Sequence, residues 1–397
     1  MEFADSIYNH IKEVKSQFFF AKEIIINDCT LREGEQASAA NFTLKDKLNI
    51  AEKLEKIGIK QIQGGYPGRS KIDYEFIKTF KKQSNIKVEA IAQIFQKDWK
   101  KQIDMSLESG PDIIDLIYPS SELRLKYVQK VSKEQMMERV VEAIEYANKG
   151  DAVVRYAPVD TTRTEMSFLI ELLKRAVSAG AQRITIADTA GAIIPAGMKF
   201  MVKEVKSHFD LPLQIHCHND FGLALANSLA ALEAGADIID VTINGLGERA
   251  GNLSLDELVI STLVLYDLDL GIDTKGLFEL SKYIETLTKV PLPDTKPIVG
   301  KWAFTHKLDA HVWGVLTYPP LYEVVPPELV GNKRIIPIGK YSGPVAIKAK
   351  LDQLGYKADD DEIKAIIEKV EAKAYDRHAS LTDEEFLQIV KEVKGTI

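Results

Sequence analysis

Cysteines, basic clusters and long apolar runs are all scarce in this 397-residue chain. Its two cysteines, Cys29 and Cys217, are far too few for a disulfide framework at this length, so stability has to come from an ordinary apolar core. There is no block of basic residues, and the formal net charge is −7. The electrostatic footprint of a nucleic-acid binder is therefore missing, and no nucleic-acid partner is expected. No stretch approaches the ~18 uninterrupted apolar residues of a membrane span. The opening MEFADSIYNHIKEVK has acids where an export signal needs a basic start. A cytoplasmic protein without a membrane partner is the expectation.

What is present is typical of a folded chain, with 45% apolar and 27% charged residues. Short β-branched runs recur roughly every 30 residues with helical patterns between them, the signal of repeated βα units and a parallel sheet. There are eight: IIIND (24–28), IKQIQGGYP (59–67), IKVEAIAQIF (86–95), DIIDLIYPS (112–120), AVVRYAPVD (152–160), RITIADTAG (183–191), LPLQIHCHND (211–220) and ADIIDVTING (236–245). Eight such repeats predict an α/β fold, a closed (β/α)8 TIM barrel, over residues 23–275, because polar clusters close nearly every run as on the catalytic face of such a barrel. A helical extension (1–22) precedes it. Proline-rich turns such as VPLPDTKP and YPPLYEVVPPE begin a linker subdomain (276–345), and a small, mostly helical C-terminal appendage (346–397) closes the chain.

The first run empties into DCTLREGEQ (28–36), which places Asp28, Arg32, Glu33 and Gln36 at the mouth of the barrel. At the end of the seventh run, His216 and His218 stand two apart, so strand alternation turns both imidazoles to one side and Cys217 to the other, toward the helices. Two imidazoles with an acid from another strand form a ligand set for a divalent ion, and either Glu33 or Asp28 can supply that acid. GLGERAGN (245–252) follows the eighth run, and Asn252 offers an amide oxygen to the same shell. Thr189 closes the sixth run. Arg155 lies on the fifth, on one face with Ala157 and Val159, where a guanidinium can pair with a substrate carboxylate; Asp160 and Asp188 are its internal competitors.

DCTLREGEQ, IHCHNDFGLALANSLAALEAGAD and INGLGERAGN resemble the TIM-barrel metallolyases that condense acetyl-CoA with 2-oxo acids: the homocitrate, 2-isopropylmalate, citramalate and Re-type citrate synthases. The likeness runs from about residue 23 to 350 and extends through FTHKLDAHVWGVLTYPPLYEVVPPELVG and IGKYSGPVAIKAKL, which separate the synthases from lyase relatives sharing the barrel. It implies an acyltransferase with one divalent ion (Mn, Zn, Co or Mg) on Glu33, His216 and His218, with Asn252 in or beside the shell. Acetyl-CoA would be the co-substrate, and Arg32 would stabilise charge on the ketone oxygen. Asp28, Gln36, Arg155 and Thr189 would line the substrate pocket. His311 and Tyr322, with His306 nearby, would serve the acetyl group, often across a homodimer. Leu308, Asp309 and Ala310 depart from the pattern before His311, and Ala157 and Val159 depart from the homocitrate synthase pattern after Arg155. Arg155 nevertheless favours a dicarboxylic 2-oxo acid, as in homocitrate synthase. Oxaloacetate, or the smaller acids of the 2-isopropylmalate and citramalate branches, is the alternative, and a retro-Claisen lyase is a more distant one.

Overall fold

The computed structural model describes residues 3–395. Each of the eight runs forms one strand: β1 (Ile25–Asp28), β2 (Gln61–Gly65), β3 (Lys87–Gln93), β4 (Ile113–Pro119), β5 (Val153–Val159), β6 (Arg183–Asp188), β7 (Leu213–Cys217) and β8 (Ile238–Val241). All pair in parallel with their chain neighbours, and β1 closes on β8 in register from Ile25–Ile238 to Asp28–Val241, making the expected closed barrel. Eight helices follow the strands in turn: α1 (Leu44–Lys56), α2 (Lys71–Phe80), α3 (Trp99–Glu108), α4 (Lys133–Ala147), α5 (Met166–Ser178), α6 (Pro195–His208), α7 (Ala224–Leu232) and α8 (Leu255–Leu265).

Local chemistry explains the helix starts. Thr43 and Asp46 form a reciprocal capping box ahead of α1, and Ser132 and Gln135 do the same for α4. Strand alternation sorts the side chains. Ile62, Val88, Ile114, Val154 and Ile184 are buried in the layer beneath the helices. That layer is tight at Gly64, where an added Cβ would stand 2.5 Å from Ile77 of α2. The other face points into the barrel and is polar: Asn27, Gln61, Glu89, Asp115, Arg155, Arg183, Gln214 and Asp240 are all buried.

Among the described residues no helix is long and apolar enough to cross a membrane. Among the described residues the N-terminal extension carries a 3-10 turn (Ile7–Asn9) and one helical turn (Lys12–Lys15); Phe18 and Phe20 then pack on Tyr266.

The chain divides into two compact units. One holds residues 7–274 and 279–291; the other holds 292–395 with 275–278 and the residues up to Ser6. Helix α9 (Leu277–Thr288) therefore falls mostly with the barrel. The second unit contains α10 (Asp309–Thr317), α11 (Pro344–Gln353), α12 (Asp360–Arg377) and α13 (Asp383–Val393). The expected division at residue 345 is not a boundary here. Val312 and Ile338 share one core with Ile347, Ile366, Val370 and Phe386, so 276–345 and the tail helices cannot bury their apolar faces independently.

Candidate active site

The turn after β1 is held from beneath by Lys47. This lysine is fully buried on α1, and its Nζ donates to Leu31 O at 2.7 Å and meets Asp73 at 2.6 Å and Glu35 at 2.8 Å. Such a charge is tolerated inside only because paired acids and a carbonyl compensate it. Asp73 also accepts from the Tyr66 N–H at 2.8 Å, so one buried cation ties the turn after β1 to the turn after β2.

Above it, Glu33, His216 and His218 converge, with one ligand atom from each lying within 4.8 Å of the others. The Nε2 atoms of His216 and His218 face each other at 3.4 Å, while Glu33 Oε1 stands 3.8 Å from His218 Nε2. Two imidazole nitrogens that close cannot both carry a proton, and Glu33 Oε1 and Asn252 Oδ1 are buried with no hydrogen-bond partner among the described residues. A cation at the centre satisfies all of them. Burial and the neighbouring His216 push His218 down to about 3, so its imidazole is neutral at pH 7, the form able to ligate an ion. Burial alone would raise Glu33, but Arg32, His216 and His218 hold it down to about 2. Between the two acids that the sequence offered, the geometry selects Glu33.

Asn252 reaches this group because its loop is glycine-rich where it must be. An added Cβ at Gly251 (φ +85°) would stand 2.0 Å from Gly245 O, and one at Gly247 would stand 2.0 Å from Asn252 Nδ2. Cys217 faces away as expected and is buried, which pushes its thiol up to about 12.

Asp240 fixes the His216 ring, with Oδ2 at 3.0 Å from Nδ1. Burial opposes its ionisation, but His216 and Arg155 hold its carboxyl down to about 2. A charged acid behind a ligating imidazole sets the tautomer that leaves Nε2 free for the ion. Asp240→Asn is therefore expected to weaken binding of a divalent ion roughly 10- to 100-fold, as read by competition with a chelator. Unchanged affinity would remove Asp240 from this role.

The pocket in front of the triad is lined by Arg32, Gln36, Tyr66, Gln93, Phe95, Asp115, Arg155, Thr189 and Arg249 among polar and aromatic groups, and by Ile91, Ile117, Ala157 and Val159 on its apolar wall. Arg32 pairs with Glu33, and its Nε donates to Gln63 at 2.8 Å. Gln36 Nε2 lies 3.4 Å from Glu33. Thr189 accepts from the Asp160 N–H at 2.8 Å. Arg249 latches the rim through a bidentate pair with Asp220 at 2.8 and 2.9 Å.

Two expectations need correction. Asp28 is fully buried and does not line the pocket. The strand turns Asn27 inward, where its amide reaches Glu89 and Asp240, so Asp28 faces the other way and caps the turn by accepting from the Thr30 N–H at 2.9 Å. Burial pushes its carboxyl up to about 7. Arg155 does face the pocket with Ala157 and Val159, but it is not an uncommitted anchor. Nη1 pairs with Glu89 at 2.7 Å and Nε donates to Thr185 at 2.8 Å; Nη2 makes only long approaches, to Asp115 at 3.4 Å and Asp240 at 4.0 Å. Its close partner is Glu89 on β3, with Asp115 beside it on the adjacent strand β4, rather than Asp160 or Asp188, because the side chain of a mid-strand residue points into the interior instead of following its own strand.

Several site residues went unnoticed in the sequence: Lys47, Gln63, Tyr66, Glu89, Asp115 and Asp240. The signal was there for three of them, since an acid inside an isoleucine-rich run (IKVEAIAQIF, DIIDLIYPS, DIIDVTING) is costly to bury unless it is paired.

In the second unit, His311 stacks on Tyr322 with ring centroids 4.3 Å apart. Gly314 makes room, since an added Cβ would stand 2.5 Å from the Tyr322 ring. His306 Nε2 lies 2.9 Å from Glu323, which also pairs with Arg334. The departure at Asp309 has a structural use: its carboxylate accepts the N–H groups of Gly343 and Ala346 at 3.1 and 2.8 Å, anchoring the GKYSG segment at the start of α11.

The carboxylate, two imidazoles and adjacent arginine stand at the C-terminal ends of the strands of a closed TIM barrel, the face on which such barrels carry their active sites. The chain belongs to the HMGL-like family, whose model matches residues 23–284, and a homocitrate synthase post-HMGL domain-like model matches 298–379. It is 38% identical to homocitrate synthase AksA of Methanothermobacter thermautotrophicus, over 100% of both chains. Identity to 2-isopropylmalate synthase of Methanocaldococcus jannaschii is 39% (98% of this chain, 75% of that one), and to (R)-citramalate synthase CimA of the same organism 37% (94% and 74%). The HMG-CoA lyase of Bacillus subtilis shares the fold with a TM-score of 0.61 at 19% identity, covering 69% of this chain and 96% of that one.

Proposed function

We propose that the protein joins the methyl carbon of acetyl-CoA to the ketone carbon of a 2-oxo acid and that water then hydrolyses the thioester to release CoA, with a dicarboxylic 2-oxo acid as its substrate, in the manner of a homocitrate synthase. The observation that carries this reading is the Glu33, His216 and His218 triad beside Arg32, in a chain whose relatives of similar length are named as synthases of this type. The lyase fold match spans 69% of the chain. The second unit instead matches a domain model named for homocitrate synthase, which favours condensation over cleavage.

A divalent ion on the triad would supply Lewis acidity toward the ketone and carboxylate of the 2-oxo acid. The chain's own groups divide the remaining work. Arg32, kept charged and oriented by Glu33 and Gln63, stabilises negative charge developing on the ketone oxygen. His311 accepts a proton from the acetyl methyl, and Tyr322, stacked on it, donates a hydrogen bond to the resulting enolate oxygen. Gln36 and Thr189 orient the substrate from the pocket wall. We further propose a homodimer in which these second-unit residues serve the partner's barrel.

Release of free CoA with oxaloacetate, 2-oxoglutarate, pyruvate and 2-oxoisovalerate tests the reaction. Metal-dependent release with a dicarboxylate preferred is the expected result; no release with any of the four rejects condensation with these acids. The same assay on mixed Arg32→Ala and His311→Ala chains tests sharing. Recovered activity is expected, and none after verified subunit exchange argues against it.

A further inference from the structure

The barrel interior holds more acid than it needs to balance Arg155. Glu89 is saturated: it accepts from Asn27 at 3.1 Å, Gln61 at 2.9 Å, Gln63 at 3.0 Å and Arg155 Nη1 at 2.7 Å. Asp240 is occupied by Asn27 at 2.8 Å and His216 at 3.0 Å. Asp115 is different. It is buried and lines the pocket, its Oδ1 has no hydrogen-bond partner among the described residues, and its other oxygen only approaches Arg155 Nη2, at 3.4 Å. Nη2 likewise has no closer acceptor. An under-used guanidinium nitrogen and an under-used carboxyl group thus stand 3.4 Å apart in the pocket lining, beside the apolar wall of Ile91, Ile117, Ala157 and Val159, while the neighbouring Thr185 is already committed to Arg155 Nε.

A carboxylate entering here meets a donor and an acid at once. It can take the Nη2 hydrogens, but it then stands against Asp115, and two carboxylates on one guanidinium nitrogen in a dry site cannot both stay charged. We propose that a 2-oxo dicarboxylate binds with its distal carboxylate on Arg155 Nη2, and that Asp115 takes one proton from solvent as it does so and donates it as a hydrogen bond to the incoming oxygen. The proton leaves with the ligand, so the step is balanced. This rests on the dicarboxylate reading above and adds Asp115 as the residue that admits the second negative charge. A 2-oxo acid with an apolar side chain brings no second charge and takes up no proton.

The charged and titratable groups facing Asp115 are Arg155 from β5, Glu89 from β3, Asp240 from β8, and Arg32 and Tyr66 from the turns after β1 and β2. Burial is the largest influence and, with Glu89 and Asp240, outweighs Arg155 and Arg32, pushing the Asp115 carboxyl up to about 7 in the free protein. Since the complex holds more protons than the free protein, binding weakens as pH rises. The loss is about tenfold per pH unit above the free-protein value until the bound value is passed.

Titration calorimetry of the Mn-loaded protein without acetyl-CoA, in phosphate and in Tris at the same pH, counts the proton directly. Expected are uptake of up to one proton with 2-oxoglutarate or oxaloacetate, none with 2-oxoisovalerate, and dicarboxylate affinity that falls from pH 7 to 9. Asp115→Asn should abolish uptake and flatten that pH dependence; if it folds poorly, the pH series on the unmodified protein decides alone. Dicarboxylate binding without proton uptake, uptake that persists in Asp115→Asn, or no binding of either dicarboxylate would overturn the proposal. In each case CoA release with any 2-oxo acid in the same preparation leaves the condensation reading standing.

Discussion

His216→Ala is expected to abolish CoA release, by roughly 10³-fold or more, while leaving the barrel folded. Lewis-acid stabilisation at such a centre amounts to several kcal/mol, and each ~1.4 kcal/mol is a factor of ten. The substitution removes one of the three side chains that converge there, so that an ion on Glu33 and His218 would have an incomplete shell. The fold should persist because His216 sits at the pocket end of β7, where Leu213, Ile215 and Cys217 supply the packing against the helices. Metal content by elemental analysis, with circular dichroism on the same sample, is the measurement. Full occupancy in His216→Ala would show that the ion, if any, is held elsewhere.

Arg155→Met should have the largest effect on stability, a loss of about 3–5 kcal/mol, the usual consequence of leaving buried charge without its partner. Glu89, Asp115 and Asp240 would remain in the barrel interior without the guanidinium that pairs with Glu89 and approaches the other two, leaving only the more distant Arg183 and Arg32. The loss depends on pH in a defined direction. With Arg155 present, Asp240 is held down to about 2, so its contribution exists above the unfolded carboxylate range and fades only as pH falls toward that value. Without Arg155 the acids titrate above their unfolded values. Their protonated forms then favour the folded state at low pH, and that benefit is lost as pH rises through the folded values, which for Asp115 already reach about 7 with Arg155 in place. The difference in stability between the two proteins should widen from pH 4 to pH 8 in urea unfolding. A difference that narrows over this range would mean that Arg155 does not compensate these acids.

Much of the architecture was legible in the chain. Strands and helices answer to local periodicity, so all eight β-branched runs became strands within the residues expected of them. The spacing of His216 and His218 forced their imidazoles to one side of β7, and the bulk of Cys217 to the other, whatever the rest of the fold did. What misled was any inference that needed a partner from another strand. Asp28 looked like a pocket acid because of its motif, yet the phase of a four-residue strand decides its direction, and that phase is set by Asn27 reaching Glu89 and Asp240. Asp160 and Asp188 looked like natural partners for Arg155 because they close nearby runs, whereas the guanidinium is paired with Glu89 on β3.

By itself, then, the sequence determined which segments are strands, which residues of β5 and β7 share a face, and that a carboxylate, two imidazoles and an arginine stand at the same end of a barrel. Alternation and period are properties of the backbone and need only neighbouring residues. The pairing of charges was decided by the tertiary structure alone. Closing the sheet brings Glu89, Asp115, Arg155 and Asp240, separated by as many as 151 positions between the first and the last, into one dry interior. In that interior, the energy of each ionised group depends on which others lie within a few ångströms, a quantity that chain spacing does not contain.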